Sequence, residues 1–479
     1  MPSRHRLAGP LGGLCAGLTH GALAVLAFPP VDLWWLAFVG IVPLIWASSP
    51  GVRKPRITSL MVALGCLPAW MYFMQYTASI SQAGFVPLTV YLSLWPGIFV
   101  HVLRRLRGAR PAWSLVPLVA LAWMGVEFFR GEVLLHGFAW FLLGHPLIAS
   151  EWLSAPGVLG GQYLVGGIVA AVNAVVVVRL RPMLARRGWQ APTVHRKGAD
   201  RAELMVAVAI VVVYGLAVAT RLSVRIEDEP VRIGVVQTNV PQSVRGTWPL
   251  EQRRKDLASF IAWSAALAAE SPKPNVIVWP ETMFPGDFLD AESLAAVESV
   301  RQKFPRLHEI VSEFSDGLMA AQARIGVPMI IGVSTYDGLS FARAAETGRW
   351  EEDARYNSAV VVVDGQLSDE RYDKMRLAPF GEEMPYISAW PWLERQLLAF
   401  GAAGMTFDLA KGRNAKPLDI GGVAYATPIC FEATISSCVR RLRGDVILNM
   451  TNDGWFGAFD AGRLHHALAA RWRAVELVR

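Results

Sequence analysis

Charge is scarce in this chain. Only 18% of its 479 residues are Asp, Glu, Lys or Arg, where a soluble globular protein carries about 25%. Four cysteines are too few for a disulfide-stapled scaffold. There is also no internal repeat at roughly 20–50 residues, no low-complexity tract and no phosphate loop. Together these exclude a disordered chain, a nucleic-acid module with basic tails and a small secreted disulfide domain. Apolar residues fill the space: 53% are hydrophobic, 18 are Trp, and the mean hydropathy is +0.34. That composition points to a membrane. The net charge of +7 hides a split, since residues 1–222 hold 18 Lys/Arg and six acids while the remainder holds 28 and 33. Basicity confined to the apolar half speaks of membrane topology rather than nucleic acid.

A helix needs about 20 apolar residues to cross the hydrocarbon. Such stretches fall at 11–28, 31–48, 57–76, 86–103, 113–130, 158–179 and 203–221, which predicts seven spans within residues 1–222. The first two read as a hairpin turned at Phe28-Pro29-Pro30-Val31-Asp32, where Pro cannot continue a helix. Sixteen basic residues lie at the N-terminus and in 53–56, 104–110 and 179–201, against Arg130 alone in the segments between. The positive-inside bias puts the N-terminus in the cytoplasm and everything after Arg221 outside. The apolar start runs straight into further spans, so it does not read as a cleaved signal peptide. Gly13, Gly17 and Gly21, and Gly160, Gly161, Gly166 and Gly167, predict close helix packing. No Asp, Glu, Lys or Arg sits near the middle of a span, Glu127 lying near the end of the fifth, which counts against a transporter. The outer loop 131–157, with Phe138, Trp140, Phe141 and Trp152, is expected at headgroup depth as an interfacial or re-entrant segment.

From Val231 the pattern changes, and residues 229–479 read as a separate α/β domain. Strands are expected at 231–239, 275–280, 328–334, 358–363, 423–430 and 445–451, and helices at 249–270, 291–303, 306–325, 432–442 and 461–478. Three strand ends carry capable chemistry: Trp279-Pro280-Glu281, Tyr372-Asp373-Lys374, and Ile429-Cys430-Phe431-Glu432. A Cys where a strand enters a helix gains from the helix N–H groups, which favour thiolate and can receive an oxyanion. A nearby Lys also favours thiolate, and a carboxylate can take the proton. Alone, such a Cys is more often a small buried hydrophobe and a loop Glu or Lys a solvated charge; the conjunction carries the argument.

WPE, then K-x-x-L-x-P-F-G-E, then C-x-E, resembles the catalytic arrangement of the nitrilase (carbon–nitrogen hydrolase) superfamily, whose fold is an α-β-β-α sandwich. Within it the chain is similar to the apolipoprotein N-acyltransferase family. The segments that carry this run along the chain: Ala27-Phe28-Pro29-Pro30, Gly137-Phe138-Ala139-Trp140, Gln237-Thr238-Asn239-Val240-Pro241-Gln242 and Asn449-Met450-Thr451-Asn452-Asp453-Gly454-Trp455-Phe456-Gly457. The resemblance implies Cys430 as nucleophile, Glu281 as general base, Lys374 as the cation at the oxyanion, Glu382 as a second supporting glutamate and Glu432 as the residue that follows the nucleophile. It implies substrate-side or site-shaping positions for Trp248, Asn357 and Trp455. Phe431 departs from members with Tyr there. Members also continue with further strands and a last membrane helix beyond the position matching Arg479. The implied reaction moves an acyl chain from a membrane phospholipid, through a Cys thioester, to the N-terminal amine of a diacylglyceryl-modified apolipoprotein. The implied setting is the outer side of the bacterial inner membrane, with the bilayer as partner, no nucleic acid and no cofactor.

Two other readings use the same residues: a membrane-tethered amidase for a small soluble amide, and a non-catalytic membrane binding protein or transporter. The apolar loop 131–157 favours a lipid substrate over the first, and an intact Glu281, Lys374 and Cys430 argues against the second. Cys430 and Cys438 are not expected to pair, because a helix over 431–442 separates them by about 12 Å and a disulfide needs about 7 Å or less. His465-His466 reads as a helix-surface pair rather than metal ligands.

Overall fold

The computed structural model describes residues 9–80, 82–109, 115–186, 196–224, 230–240, 248–344, 347–379, 382–383, 392 and 409–478. The apolar half is helical: α1 (Pro10–Ala27), α2 (Val42–Ala47), α3 (Pro55–Ile80), α4 (Gln82–Ala109), α5 (Leu115–Phe128), α6 (Glu151–Ser154), α7 (Gly157–Arg186) and α8 (Arg196–Ser223). Among the described residues, five helices are long and apolar enough to cross a membrane, namely α1, α3, α4, α7 and α8. The second expected span does not form one helix. It divides into a 3-10 turn, Trp34–Phe38, and α2, which opens with Pro43 in its first turn, where the missing N–H costs nothing. Of the fifth, the described residues form a 14-residue helix, Leu115–Phe128, that passes into a π-turn at Phe129–Val133.

Despite that break, segment 28–48 brings the chain back to the end where α1 begins. Gly9 lies against Arg53, Arg104 donates to the carbonyls of Ala47 and Pro55, and Arg107 donates to the Ile45 carbonyl and Ser48. The basic residues therefore gather at one end and cap the carbonyls left open where α2 stops. Asn173 of α7 pins the broken segment from the side, accepting from Ile41 N–H (3.0 Å) and donating to Ala37 C=O (2.9 Å). The glycines of α1 do what their spacing suggests: a Cβ at Gly17 would collide with the Val62 carbonyl of α3.

Loop 131–157, expected as an interfacial or re-entrant segment, packs inward against the helices. Phe138, Trp140, Phe141 and Leu142 are buried and join the same apolar cluster as Phe73 and Trp70 of α3. Two buried polar side chains fix it: Arg130 donates to Trp140 C=O (2.7 Å) and Glu127 accepts from Leu143 N–H (2.6 Å). Only Trp152 of its aromatics is well exposed.

The α/β half has a five-stranded sheet, β1 (Ile233–Val235), β2 (Val276–Trp279), β3 (Met329–Asp337), β6 (Ala354–Val363) and β7 (Gln366–Asp373), in the order β1-β2-β3-β6-β7. The first three are parallel and the last two antiparallel. Between β3 and β6 lies a hairpin, β4 (Ser340–Ala344) and β5 (Thr347–Glu351), and a second sheet orders as β10 (Val446–Ile447), β9 (Val423–Ala426), β8 (Leu418–Ile420). Alternation assigns the faces. Ile277, Trp279, Ile331 and Val360 pack against α9 (Leu250–Ala268) and α11 (Pro305–Ile325), the latter following α10 (Ala291–Ser299). Val276, Val278, Ile330 and Val361 pack against Leu418, Tyr425 and Ala426 of the second sheet, joined by Leu442 of α12 (Ser436–Leu442). Helix, sheet, sheet and helix make the nitrilase-like sandwich. The continuous helix expected over 432–442 is instead a 3-10 turn, Cys430–Thr434, followed by α12.

The last helix, α13 (Asp460–Leu477), joins the two halves. Trp472 donates to His145 C=O (3.1 Å), while Arg473 and Glu476 are buried against Gln162 of α7. There α7 is broken at Gly161, whose φ of +67° suits glycine, and the Glu476 carboxylate accepts from the freed Gln162 N–H (2.8 Å). His465 and His466 are both buried, so they are not the surface pair expected.

Candidate active site

Each of the three motif residues is delivered by the end of a strand. Pro280 stops β2 and turns Glu281 out of the sheet; Lys374 follows β7; Cys430 follows an isolated parallel bridge between Ile429 and Met450. Cys430 has a φ of +51°, uncommon for a residue with a side chain and held only where neighbours enforce it. Its N–H donates to Met450 C=O (2.8 Å).

Glu281 is buried and firmly oriented. One carboxylate oxygen accepts from Asn357 Nδ2 (2.8 Å) and lies 3.5 Å from Lys374 Nζ; the other accepts from Asn452 N–H (2.9 Å). Lys374 Nζ donates to Glu382 Oε1 (2.8 Å), whose second oxygen accepts from Ala378 N–H (2.8 Å). The ammonium is thus clasped by two carboxylates beside the thiol. Burial works against its charge, but Glu382 and Glu281 outweigh that and hold Lys374 above the ordinary lysine range.

The thiol departs from the expectation of a ready thiolate. Burial pushes Cys430 well up, the Glu281 charge adds to this, and Lys374 only partly opposes it. The elbow is a five-residue 3-10 turn in an enclosed site, so its dipole does not prevail over desolvation. With the thiol pushed up in this way, Cys430 needs a base at the moment of attack.

Glu281, Lys374, Glu382 and Cys430 open onto a cavity of about 160 Å³. Both halves supply its other walls: Tyr76 of α3, Leu88 of α4, and Phe138 and Trp140 of the buried loop from one, and Phe431, Asn452 and Phe456 from the other. Trp455 also lines it and is partly exposed. Glu432 lies behind the elbow, accepting from Ile429, Met375 and Arg376 N–H (2.8, 2.7 and 2.9 Å) and from the Tyr372 hydroxyl, so it fixes the Cys430 and Lys374 loops to each other. Asn357 acts through Glu281. Trp248 is not brought to the cavity; its indole donates to Asp256 (2.8 Å) at the start of α9. Asn452, Tyr76, Trp140 and His466 belong to the site although the motif reading did not select them. Of the motif segments, Pro241, Gln242, Phe380 and Gly381 lie outside the described residues. All four cysteines are free, and among the described residues no group of three or more His, Cys, Asp or Glu could hold a metal ion.

Residues 232–478 match the carbon-nitrogen hydrolase family, and residues 20–175 match the apolipoprotein N-acyltransferase N-terminal domain. The chain is similar to the apolipoprotein N-acyltransferase of Geobacter metallireducens, at 26% identity over 95% of this chain and 80% of that one. It is also similar to that of Azotobacter vinelandii, at 28% identity over 98% and 82%. Among solved structures, a carbon-nitrogen hydrolase from Helicobacter pylori G27 aligns at 17% identity, covering 51% of this chain and 68% of that one, with a TM-score of 0.30.

Proposed function

The chain belongs to the carbon-nitrogen hydrolase family, and on that premise we propose that it is an apolipoprotein N-acyltransferase of the bacterial inner membrane. Residues 1–222 form its membrane part, and residues 229–479 its catalytic part on the outer side. The observation that carries this reading is the cavity itself: Cys430 and the buried Lys374 and Glu281 share one space with the ends of the apolar helices. A site for a small soluble amide has no need of such walls. The gathering of Arg53, Arg104 and Arg107 at the opposite end of the helices supports the orientation.

In the first half-reaction the Cys430 thiol attacks an ester carbonyl of a phospholipid while Glu281 takes its proton. Lys374 Nζ faces the oxyanion that forms. The tetrahedral species collapses by breaking the ester C–O bond, Glu281 returns the proton to the departing alkoxide, and a lysophospholipid leaves a Cys430 thioester. In the second, the amine of a diacylglyceryl-modified N-terminal Cys attacks the thioester; Glu281 accepts an amine proton and passes it to the Cys430 sulfur as the amide forms. The aromatic walls keep water from the thioester.

The test is transfer of a labelled acyl chain from phospholipid vesicles to a diacylglyceryl-cysteine peptide. The account expects amide-linked label with the wild type and none with Cys430→Ala. Hydrolysis of a small soluble amide at a higher kcat/KM than this transfer would favour the tethered-amidase reading instead.

A further inference from the structure

We propose that His466 is a positioning residue for the nucleophile, holding the Cys430 backbone in its left-handed conformation. The inference rests on the reading of Cys430 as nucleophile and concerns how the thiol is aimed. His466 comes from α13, the helix that joins the two halves, and its ring is buried at the wall of the cavity. Nε2 lies 2.9 Å from the Cys430 carbonyl oxygen, and Nδ1 lies 3.0 Å from Asp453 Oδ1. A carbonyl can only accept, so Nε2 carries a proton and donates. The other contact, to a carboxylate, likewise needs a proton on the line between Nδ1 and Oδ1.

The ring has little freedom to do anything else. It stacks on Trp140 at 5.9 Å with an interplanar angle of 11°, and Phe456 sits 5.8 Å away. Because Nε2 is committed to the backbone carbonyl, His466 is not the base that takes the thiol proton; Glu281 faces the site for that. What the ring does is tie together three elements that must keep register. One is the strained elbow at Cys430. The second is the Asn452–Phe456 turn, which supplies Asp453 to the ring and the Asn452 N–H to Glu281 (2.9 Å). The third is the membrane-side loop carrying Trp140. Thr451 reinforces the second, its hydroxyl donating to the same Asp453 oxygen (3.1 Å). Nucleophile and base are thereby referenced to one imidazole, and a positive φ at Cys430 persists because its carbonyl cannot swing away.

Two isosteres separate positioning from mere filling. The amide nitrogen of Gln overlays Nε2 and keeps the donation to Cys430; that of Asn overlays Nδ1 and loses it. In single-turnover thioester formation with phosphatidylethanolamine vesicles, His466→Asn should slow the step about 10- to 100-fold, the range of an unmade buried hydrogen bond. Its KM for phospholipid should stay within about twofold, and His466→Gln should recover the rate to within about threefold. Equal losses in the two variants, or an unchanged rate in His466→Asn, would overturn the proposal. A measurement on the wild type stands independent of variant folding: 15N histidine spectra should find His466 Nε2 protonated, and an unprotonated Nε2 would likewise overturn it. Persistence of the acyl adduct in Cys430→Ala would instead sink the nucleophile assignment itself.

Discussion

Replacing Lys374 with Met keeps the length of the side chain and removes its charge. The ammonium is 2.8 Å from Glu382 and 3.5 Å from Glu281. At an effective dielectric near 20, a pair of unit charges 3.5 Å apart interacts by about 5 kcal/mol. Its removal leaves two carboxylates facing one cavity with nothing between them. In the reaction, the loss of a fixed cation at the forming oxyanion should cost about 2–4 kcal/mol, or about 30- to 1000-fold in the rate of thioester formation. The pH profile carries a second signature. Lys374 is the charge that restrains the upward push of burial and Glu281 on the Cys430 thiol, with the Thr451 side chain assisting it. Without it the thiol ionises only at still higher pH, so the rising limb of the rate should move to higher pH. The assay is stopped-flow release of lysophospholipid under single-turnover conditions from pH 5 to about 10, past the ordinary thiol range, where a thiol held higher still gives a rate that is still rising. A wild-type rate in Lys374→Met, or a limb displaced to lower pH, would refute the electrostatic account of the site.

Three further expectations concern residues around the site. Glu432→Gln places an amide NH₂ against backbone N–H donors that now converge on a carboxylate, so thermal unfolding in detergent should show a loss of about 2–4 kcal/mol; an unchanged unfolding temperature would mean the carboxylate does not organise the elbow. Trp248→Phe should cost only the single hydrogen bond to Asp256, about 0.5–1.5 kcal/mol in stability, and leave acyl transfer intact; a large fall in kcat would return Trp248 to the substrate side. A reporter placed within 182–200 should be active only in the cytoplasm and one after Arg225 only outside, and protease access to 182–200 in intact spheroplasts would invert the orientation.

Glu281, Lys374 and Cys430 were legible in the sequence because each stands at a strand end within a motif whose neighbours have a role. Pro280 ends a strand, and Glu432 sits where it can gather the N–H groups of the elbow. The long apolar helices were legible because apolar length alone decides them. Residues 31–48 misled for the same reason: length and hydropathy say nothing about Pro43, in the first turn of a new helix, or Asn173, which stabilises the break from another helix. β7 was invisible because its sequence, Gln-Leu-Ser-Asp-Glu-Arg-Tyr-Asp, is polar, and its place beside β6 is set by pairing rather than by β-branched residues. His465 and His466 looked like surface residues on an amphipathic helix. Only the tertiary structure supplies the loop and elbow whose acceptors and donors they meet. The ready thiolate expected of Cys430 is opposed for a related reason, since motif order does not report the desolvation of the thiol.

The covalent step is the central claim, and intact-protein mass spectrometry with peptide mapping tests it most directly. After incubation with phospholipid alone, without an amine acceptor, the protein should gain the mass of one acyl chain on the peptide bearing Cys430. The adduct should vanish on addition of a diacylglyceryl-cysteine peptide. An adduct on Cys438, or acyl transfer with no adduct at any residue, would contradict the account.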